Sequence, residues 1–143
     1  MFAYVCLGSN DLERSAKFYD ATLGLLGYQR CDTSAESESS WTGWIGWGVY
    51  EKEGAGQDAL WICKPFNGQP ASVGNGGMVA LWARSWKQVE DFHSTALARG
   101  GTSEGGPGLR LPYNPDFYAA YVRDPDGNKL AVVCRGFTSP QAA

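Results

Sequence analysis

The chain has a single histidine, His93, in 143 residues. A metal centre built on imidazoles needs several, so none of that kind can be assembled from one copy. Pairing two copies does not help, because each site would still need several such residues. No apolar run approaches the length of a membrane-spanning helix. No basic stretch followed by a long apolar core opens the sequence, so no export signal is read and a cytoplasmic location is expected. Lys and Arg number 12 against 15 Asp and Glu, with no basic stripe, so nucleic acid is not an expected partner. Of the four cysteines, Cys6, Cys31, Cys63 and Cys134, none forms a CxxC pair. The expectation is reduced, mostly buried thiols. The glycine run at Gly105-Gly106-Pro107-Gly108 lacks the Gly-Lys-Ser/Thr ending of a phosphate cradle.

What is present is a duplication. Tyr4 to Gly27 reads as strand, cap, helix and glycine stop, and the same layout returns from Met78 to Gly101. The offset is constant (78 − 4 = 74): Val5 falls on Val79, Leu7 on Leu81, Asp11 on Ser85, Phe18 on Phe92, Leu23 on Leu97 and Gly27 on Gly101. Caps, core positions and stop kept in one register point to a repeated supersecondary unit. At this length the two halves are expected to share one fold, as module one over 1–66, a linker over 67–77, module two over 78–137 and a tail over 138–143.

Tyr4 to Leu7 is a short bounded apolar run and reads as a strand. Alternation puts Val5 and Leu7 on the face that the next helix covers, with Tyr4 and Cys6 opposite. That helix carries its stripe at Leu12, Ala16, Tyr19, Leu23 and Leu26, with Asn10 or Asp11 as cap. Arg30 to Ser40 reads as a solvated connection, Trp41 to Tyr50 as a strand bulged or closely approached at a glycine, Glu51 to Asp58 as a turn region and Ala59 to Lys64 as a strand. In the second half, Met78 to Ala83 is a strand with Met78, Ala80 and Trp82 facing away from its helix. Ser85 and Gln88 form a capping-box pattern, and Trp86, Val89, Phe92, Ala96 and Leu97 make the stripe. Thr102 to Pro115 reads as a long loop. Phe117 to Arg123 and Leu130 to Cys134 read as strands joined at Asp124-Pro125-Asp126-Gly127, where proline and glycine have the chemistry of a hairpin turn. That turn is a stronger reading of Asp124, Asp126 and Asn128 than a cation site. The class is α+β, with an uncovered face on each leading strand.

The run Asn10-Asp-Leu-Glu-Arg-Ser-x-x-Phe-Tyr-Asp20, its repeat, and Tyr121-Val-Arg-Asp-Pro-Asp-Gly-Asn-Lys129 resemble the vicinal oxygen chelate superfamily, which holds glyoxalase I, extradiol dioxygenases and bleomycin and fosfomycin resistance proteins. The resemblance covers nearly the whole chain. It implies two βαβββ modules forming a curved mixed sheet around a cleft, and a homodimer. It also implies where the metal enzymes of the family carry His or Glu. Those positions fall here on Tyr4, Trp61, Met78 and Ala131, and none suits a transition ion as imidazole or carboxylate does. No metal and no cofactor are therefore expected.

The expected function is binding of a small, partly aromatic molecule in the cleft without a metal. Tyr4, Trp61, Met78 and Trp82 would hold it, and Arg110 and Tyr113 would orient it. Cys6, Trp47, Tyr118 and Ala131 are further candidate lining residues. The tryptophans at 61 and 82 either wall this pocket or fill the space between modules. Cys6 and Cys63 share a face and read as small buried hydrophobes, the alternative being two thiols that hold a soft metal. His93 reads as a partly packed helix histidine. An alternative function is a metal-dependent glyoxalase, lactoylglutathione lyase-like, or an extradiol dioxygenase with its ligands elsewhere. A third is a vestigial cleft with an interaction role.

Overall fold

In the computed structural model, residues 1–33, 43–51 and 56–136 are described. Trp41, the expected tail and parts of the expected connection and turn lie outside them. The elements are β1 (Tyr4–Gly8), α1 (Leu12–Leu25), β2 (Trp44–Tyr50), β3 (Gln57–Cys63), β4 (Val79–Trp82), α2 (Trp86–Ala98), β5 (Thr102–Leu109), β6 (Tyr118–Arg123) and β7 (Lys129–Cys134). They form two sheets, ordered β1-β3-β2 and β4-β7-β6-β5. In each sheet the leading strand runs parallel to the last strand of its module, and the remaining pairs are antiparallel.

The duplication goes further than the sequence pattern. Gly48 N donates to Gln29 O, Cys31 N donates to Gly46 O, and Arg30 bridges Trp47, so residues 29–31 run beside β2. Shifted by 74, that stretch is 103–105, inside β5. Each half is thus βαβββ. The expected curved sheet is divided, however: among the described residues β1 pairs only with β3 and β4 only with β7.

One expectation is overturned outright. Residues 102–109, read as loop, form β5, paired antiparallel with β6 from Thr102↔Arg123 to Leu109↔Tyr118. Glycine and proline there lower strand propensity, but β5 is an edge strand with two register shifts, where such residues are tolerated. Pairing with β6 overrides local preference.

Both helices begin as their caps require. The Asp11 carboxylate accepts from Arg14 N at 3.0 Å, and Ser85 Oγ accepts from Gln88 N at 3.1 Å. Gln88 reaches back to Arg84 N at 2.7 Å rather than to Ser85 N. At the far ends Gly27 and Gly100 take φ of 91° and 93°, so the stop that matches Gly27 is Gly100, not Gly101. The second helix is one residue shorter, 13 against 14. Ser85→Ala is expected to cost about 1 kcal/mol of stability, read by denaturant unfolding. A change indistinguishable from zero would show that Gln88 alone suffices as cap.

One core spans both halves. Phe18, Tyr19 and Leu23 of α1 pack with Trp47, Leu60 and Ile62, and the same cluster continues through Val89, Phe92 and Ala96 of α2 into Val122, Leu130 and Val132. Each fully buried large side chain contributes roughly 1.5–3 kcal/mol, far more than helix propensity does. Leu97, expected in the stripe, is instead 41% exposed.

A polar cluster joins the modules at the β6–β7 hairpin. Asp124 Oδ2 accepts from Tyr19 Oη at 2.6 Å and from Asn128 Nδ2 at 2.9 Å, and Oδ1 accepts from the backbone of Asp126 and Asn128. The Asp126 carboxylate accepts from Asn10 N, Arg14 and Ser15 Oγ of module one. Asn128 Nδ2 also donates to Gly8 O. The Asp-Pro-Asp-Gly-Asn turn is therefore a clasp between halves. Its carboxylates are spent on protein donors, in keeping with the hairpin reading over the cation site.

Candidate functional site

The strand parity expected for the leading strands is observed. Tyr4, Cys6, Ala80 and Trp82 are exposed, whereas Val5, Leu7, Val79 and Leu81 are half-buried, the last three packed against the core. The open face of the first sheet nevertheless fills itself. Trp61, paired with Cys6 across β1–β3, is 2% exposed. Its ring has Trp44 and Tyr50 edge-on at 6.5 and 5.6 Å. A Cβ on Gly46 would sit 2.5 Å from the Trp61 ring, so the indole lies directly over that glycine. Trp61 is packing here and not a pocket wall.

Two concavities bring other expected residues together. One is a groove of about 570 Å³ at the seam of the modules, lined by Phe2, Tyr4, Tyr28, Met78, Val79 and Leu81 among others. Its walls are mostly apolar. Trp47 borders it too, but from the helix side: its ring lies 5.3 Å from Tyr19, its indole N–H donates to Asp20, and it is 2% exposed. The second concavity, also about 570 Å³, lies on the open face of the second sheet and is lined by Met78, Glu104, Arg110, Tyr113, Tyr121 and Lys129, with Phe117. Ala131, opposite Tyr121 in the β6–β7 register, belongs to the buried apolar cluster on this face with Ala119 and Val133. Met78 contributes to both concavities.

The other expected residues lie elsewhere. Tyr118 faces the helix, stacked on Trp86 at 4.1 Å with its hydroxyl donating to Glu90. Burial, then Glu90, pushes that phenol up to about 12. Strand alternation explains the miss, because Tyr118 and Tyr121 fall on opposite faces of β6. Trp82 is 67% exposed and lines neither concavity. Cys6 is turned toward Cys63, their sulfurs 2.9 Å apart. His93 sits on α2 with Nε2 at 2.9 Å from Ser103 Oγ, and partial burial lowers its pKa, as suits a packed helix residue.

The four positions that carry ligands in metal enzymes of this kind do not converge. Tyr4 and Met78 reach the groove, Trp61 is covered by its neighbours, and Ala131 is a buried methyl. Phenol, indole, thioether and methyl are also a poor donor set for a divalent transition ion. Among the described residues no three His, Cys, Asp or Glu side chains group together. The residues present do not fit a metal of that type at that place.

The second concavity has a distinct electrostatic character. The Arg110 guanidinium lies 5.4 Å from the Tyr121 ring centroid and Lys129 Nζ lies 5.8 Å from it. Arg110 also donates to Gly106 O at 2.6 Å, which ties it to β5. Glu104 is taken up by Arg123 at 2.5 Å, which holds its carboxyl below the usual range and ionised. Among the described residues Arg110 and Lys129 are paired with no carboxylate. Two cations that form no ion pair thus flank an aromatic ring in a protein of net charge −3, with Glu104, bound to Arg123, as the carboxylate of the same lining, its charge also favoured by Lys129. Sequence reading found Arg110 and Tyr113 but missed Lys129, Tyr121, Phe117 and Glu104. The signal available was the alternation of β6 and β7, which puts Phe117, Tyr121 and Lys129 on the face of Ala119 and Ala131.

Comparison with known proteins agrees with this geometry. The model of the Glyoxalase/Bleomycin resistance protein/Dioxygenase superfamily matches residues 2–132. Among solved structures, a glyoxalase/bleomycin resistance protein from Albidiferax ferrireducens T118 is 38% identical, covers 95% of this chain and 99% of its own, and superposes with a TM-score of 0.78. A glyoxalase-related enzyme from Fulvimarina pelagi is 20% identical, with coverage of 100% and 98% and a TM-score of 0.68. Lactoylglutathione lyase from Agrobacterium tumefaciens is 18% identical, with 94% and 92% covered and a TM-score of 0.58. The last two likenesses are of fold alone. The curated proteins contain no match. With paired βαβββ modules, the Asp-Pro-Asp-Gly-Asn clasp and a family match over nearly its whole length, the chain belongs to the Glyoxalase/Bleomycin resistance protein/Dioxygenase superfamily.

Proposed function

We propose that the protein binds a small, anionic, partly aromatic molecule on the open face of its second sheet, with no metal among the binding groups. The observation that carries this reading is the concavity in which Arg110 and Lys129 stand around Tyr121 outside any ion pair, the lining carboxylate Glu104 being bound by Arg123. A carboxylate or phenolate would accept from Arg110 and Lys129. Its ring would lie against Tyr113 and Phe117, themselves edge-on at 5.4 Å. Met78 leads from there into the apolar groove, which suits a ligand with an extended apolar part. The use is sequestration, and the compartment is the cytoplasm, which suits a chain whose four cysteines are unbridged.

The working unit is a homodimer. Phe2, Met78 and Tyr113, which line the two concavities, are 72%, 49% and 70% exposed, and Trp82 on the open face of β4 is 67% exposed, an apolar surface of the kind that a partner covers. A second copy covering them would also enclose the ligand. Light scattering on purified protein should give twice the chain mass, and a strict monomer at micromolar concentration removes the dimer from the reading.

The binding test is calorimetric titration with benzoate, salicylate and naphthoate. Saturable binding to at least one is expected, weakened about 10- to 100-fold by Arg110→Ala, since a charge-assisted hydrogen bond contributes about 1.5–3 kcal/mol. Binding that survives both Arg110→Ala and Lys129→Ala, or no binding by any anionic aromatic compound, ends the proposal. Elemental analysis of native protein bears on the enzyme alternative: a stoichiometric transition metal would favour a glyoxalase- or dioxygenase-type reaction.

A further inference from the structure

Cys6 and Cys63 lie away from the cationic concavity and play no part in the binding just described. The parallel register pairs Cys6 with Trp61 and Gly8 with Cys63, so the two cysteines are diagonal neighbours on one face of the first sheet. Their sulfurs are 2.9 Å apart, each the other's hydrogen-bond partner. We propose that Cys6 and Cys63 form a reversible intrachain disulfide, making this face a thiol–disulfide modification site whose co-reactant is a small disulfide of the glutathione type.

Three features support the pairing. The sulfurs already face each other at 2.9 Å, and closing the bond asks β1 and β3 to draw together slightly, because diagonal strand neighbours stand about 7–8 Å apart, at the upper limit for a disulfide. The pair can be reached from outside. Cys6 is exposed, and Cys63, although 7% exposed, borders a shallow concavity of about 300 Å³ with Gly8, Pro65, Asn67, Pro70 and Ala71. The remaining thiols are placed differently: Cys134 is buried in the common core, and Cys31 lies beside β2, its amide on Gly46 O.

The chemistry balances with glutathione disulfide as oxidant. One cysteine, as thiolate, attacks the small disulfide, releases one glutathione thiolate and becomes a mixed disulfide. The second loses its proton, attacks the protein sulfur of that mixed disulfide and releases the other glutathione. Two S–H bonds are lost and one S–S bond forms. The two electrons reduce glutathione disulfide to two thiols, which take up the two protons. Partial burial of its sulfur, and then Cys63 itself, pushes the Cys6 thiol up to about 12. Few thiolates form at neutral pH, so the reaction is slow, while the proximity of the sulfurs governs where it ends.

The test equilibrates the full-length protein with excess glutathione disulfide and then blocks remaining thiols with an alkylating reagent. Mass spectrometry is expected to show two of the four thiols blocked and two lost, no retained glutathione, and a cross-linked peptide joining Cys6 to Cys63. Cys31→Ser and Cys134→Ser should leave this unchanged, and Cys6→Ser and Cys63→Ser should each abolish it. Closing the loop from residue 6 to residue 63 should raise Tm by about 5 °C or more, reversed by dithiothreitol. Four free thiols at equilibrium, a stable glutathione adduct on Cys6, or a bridge through Cys31, Cys134 or a second chain would each overturn the proposal. If a serine variant fails to fold, the peptide map of the unsubstituted chain decides alone.

Discussion

Asp124→Ala is expected to lower the free energy of unfolding by about 3–5 kcal/mol. The carboxylate is 3% exposed and collects four donors: the Tyr19 hydroxyl, the Asn128 side-chain amide, and the backbone N–H groups of Asp126 and Asn128. Removing the acceptor leaves several of these buried and unpaired, at about 1–3 kcal/mol each before relaxation. Tyr19 is fully buried, and its phenol is pushed well above its ordinary range, by burial first and then by Asp124, so it stays protonated and needs an acceptor. The loss is a large share of the roughly 5–15 kcal/mol that holds a typical domain together. Tyr19→Phe deletes one donor and leaves Asp124 its other three, so about 1–2 kcal/mol is expected for it. Urea unfolding of the three proteins measures both figures. If Asp124→Ala costs less than 1 kcal/mol, the clasp does not hold the modules together.

Gly48→Ala should be nearly as damaging, at about 3–4 kcal/mol. Gly48 takes φ of +119°, a conformation that residues with a Cβ rarely adopt. A Cβ built there would stand 2.3 Å from the Asp58 carbonyl oxygen on the neighbouring strand. The obstacle is backbone, so rotamer change cannot relieve it, and β2 and β3 would have to separate. Backbone strain and overpacking each contribute about 1–3 kcal/mol. Gly24 is the control in the same chain. It lies within α1, and nothing stands within 4 Å of its added Cβ. Gly24→Ala should be neutral or stabilising by up to about 1 kcal/mol. Equal thermal shifts for the two variants would refute the close approach of β2 to β3.

Both positions were partly visible in advance. The Asp-Pro-Asp-Gly-Asn turn is a local signal, with proline and glycine supplying the torsions it needs, so the hairpin could be read from consecutive residues. That its carboxylates reach Asn10, Arg14, Ser15 and Tyr19 could not, because those partners lie more than a hundred residues away. The same division separates the site residues. Parity on β1 and β4 correctly opposed Tyr4 and Cys6 to Val5 and Leu7, and Ala80 and Trp82 to Val79 and Leu81. It could not tell that Trp61 would cover itself with Trp44 and Tyr50 over Gly46, nor that Tyr118 would stack on Trp86. β5 was missed because glycine and proline dominate its segment, and only β6 makes it a strand.

By itself the sequence determined the duplicated strand–helix unit, the helix caps and the connecting hairpin. Each of these is written within a few neighbouring residues, through alternation, capping chemistry or turn torsions. Tertiary structure alone decided which aromatic rings fill a face and which leave it open, how the two sheets part at a groove, and that Arg110 and Lys129 meet around Tyr121 outside any ion pair. Those outcomes depend on which distant strands become neighbours and on how their side chains share the space between them, which no local run of residues records.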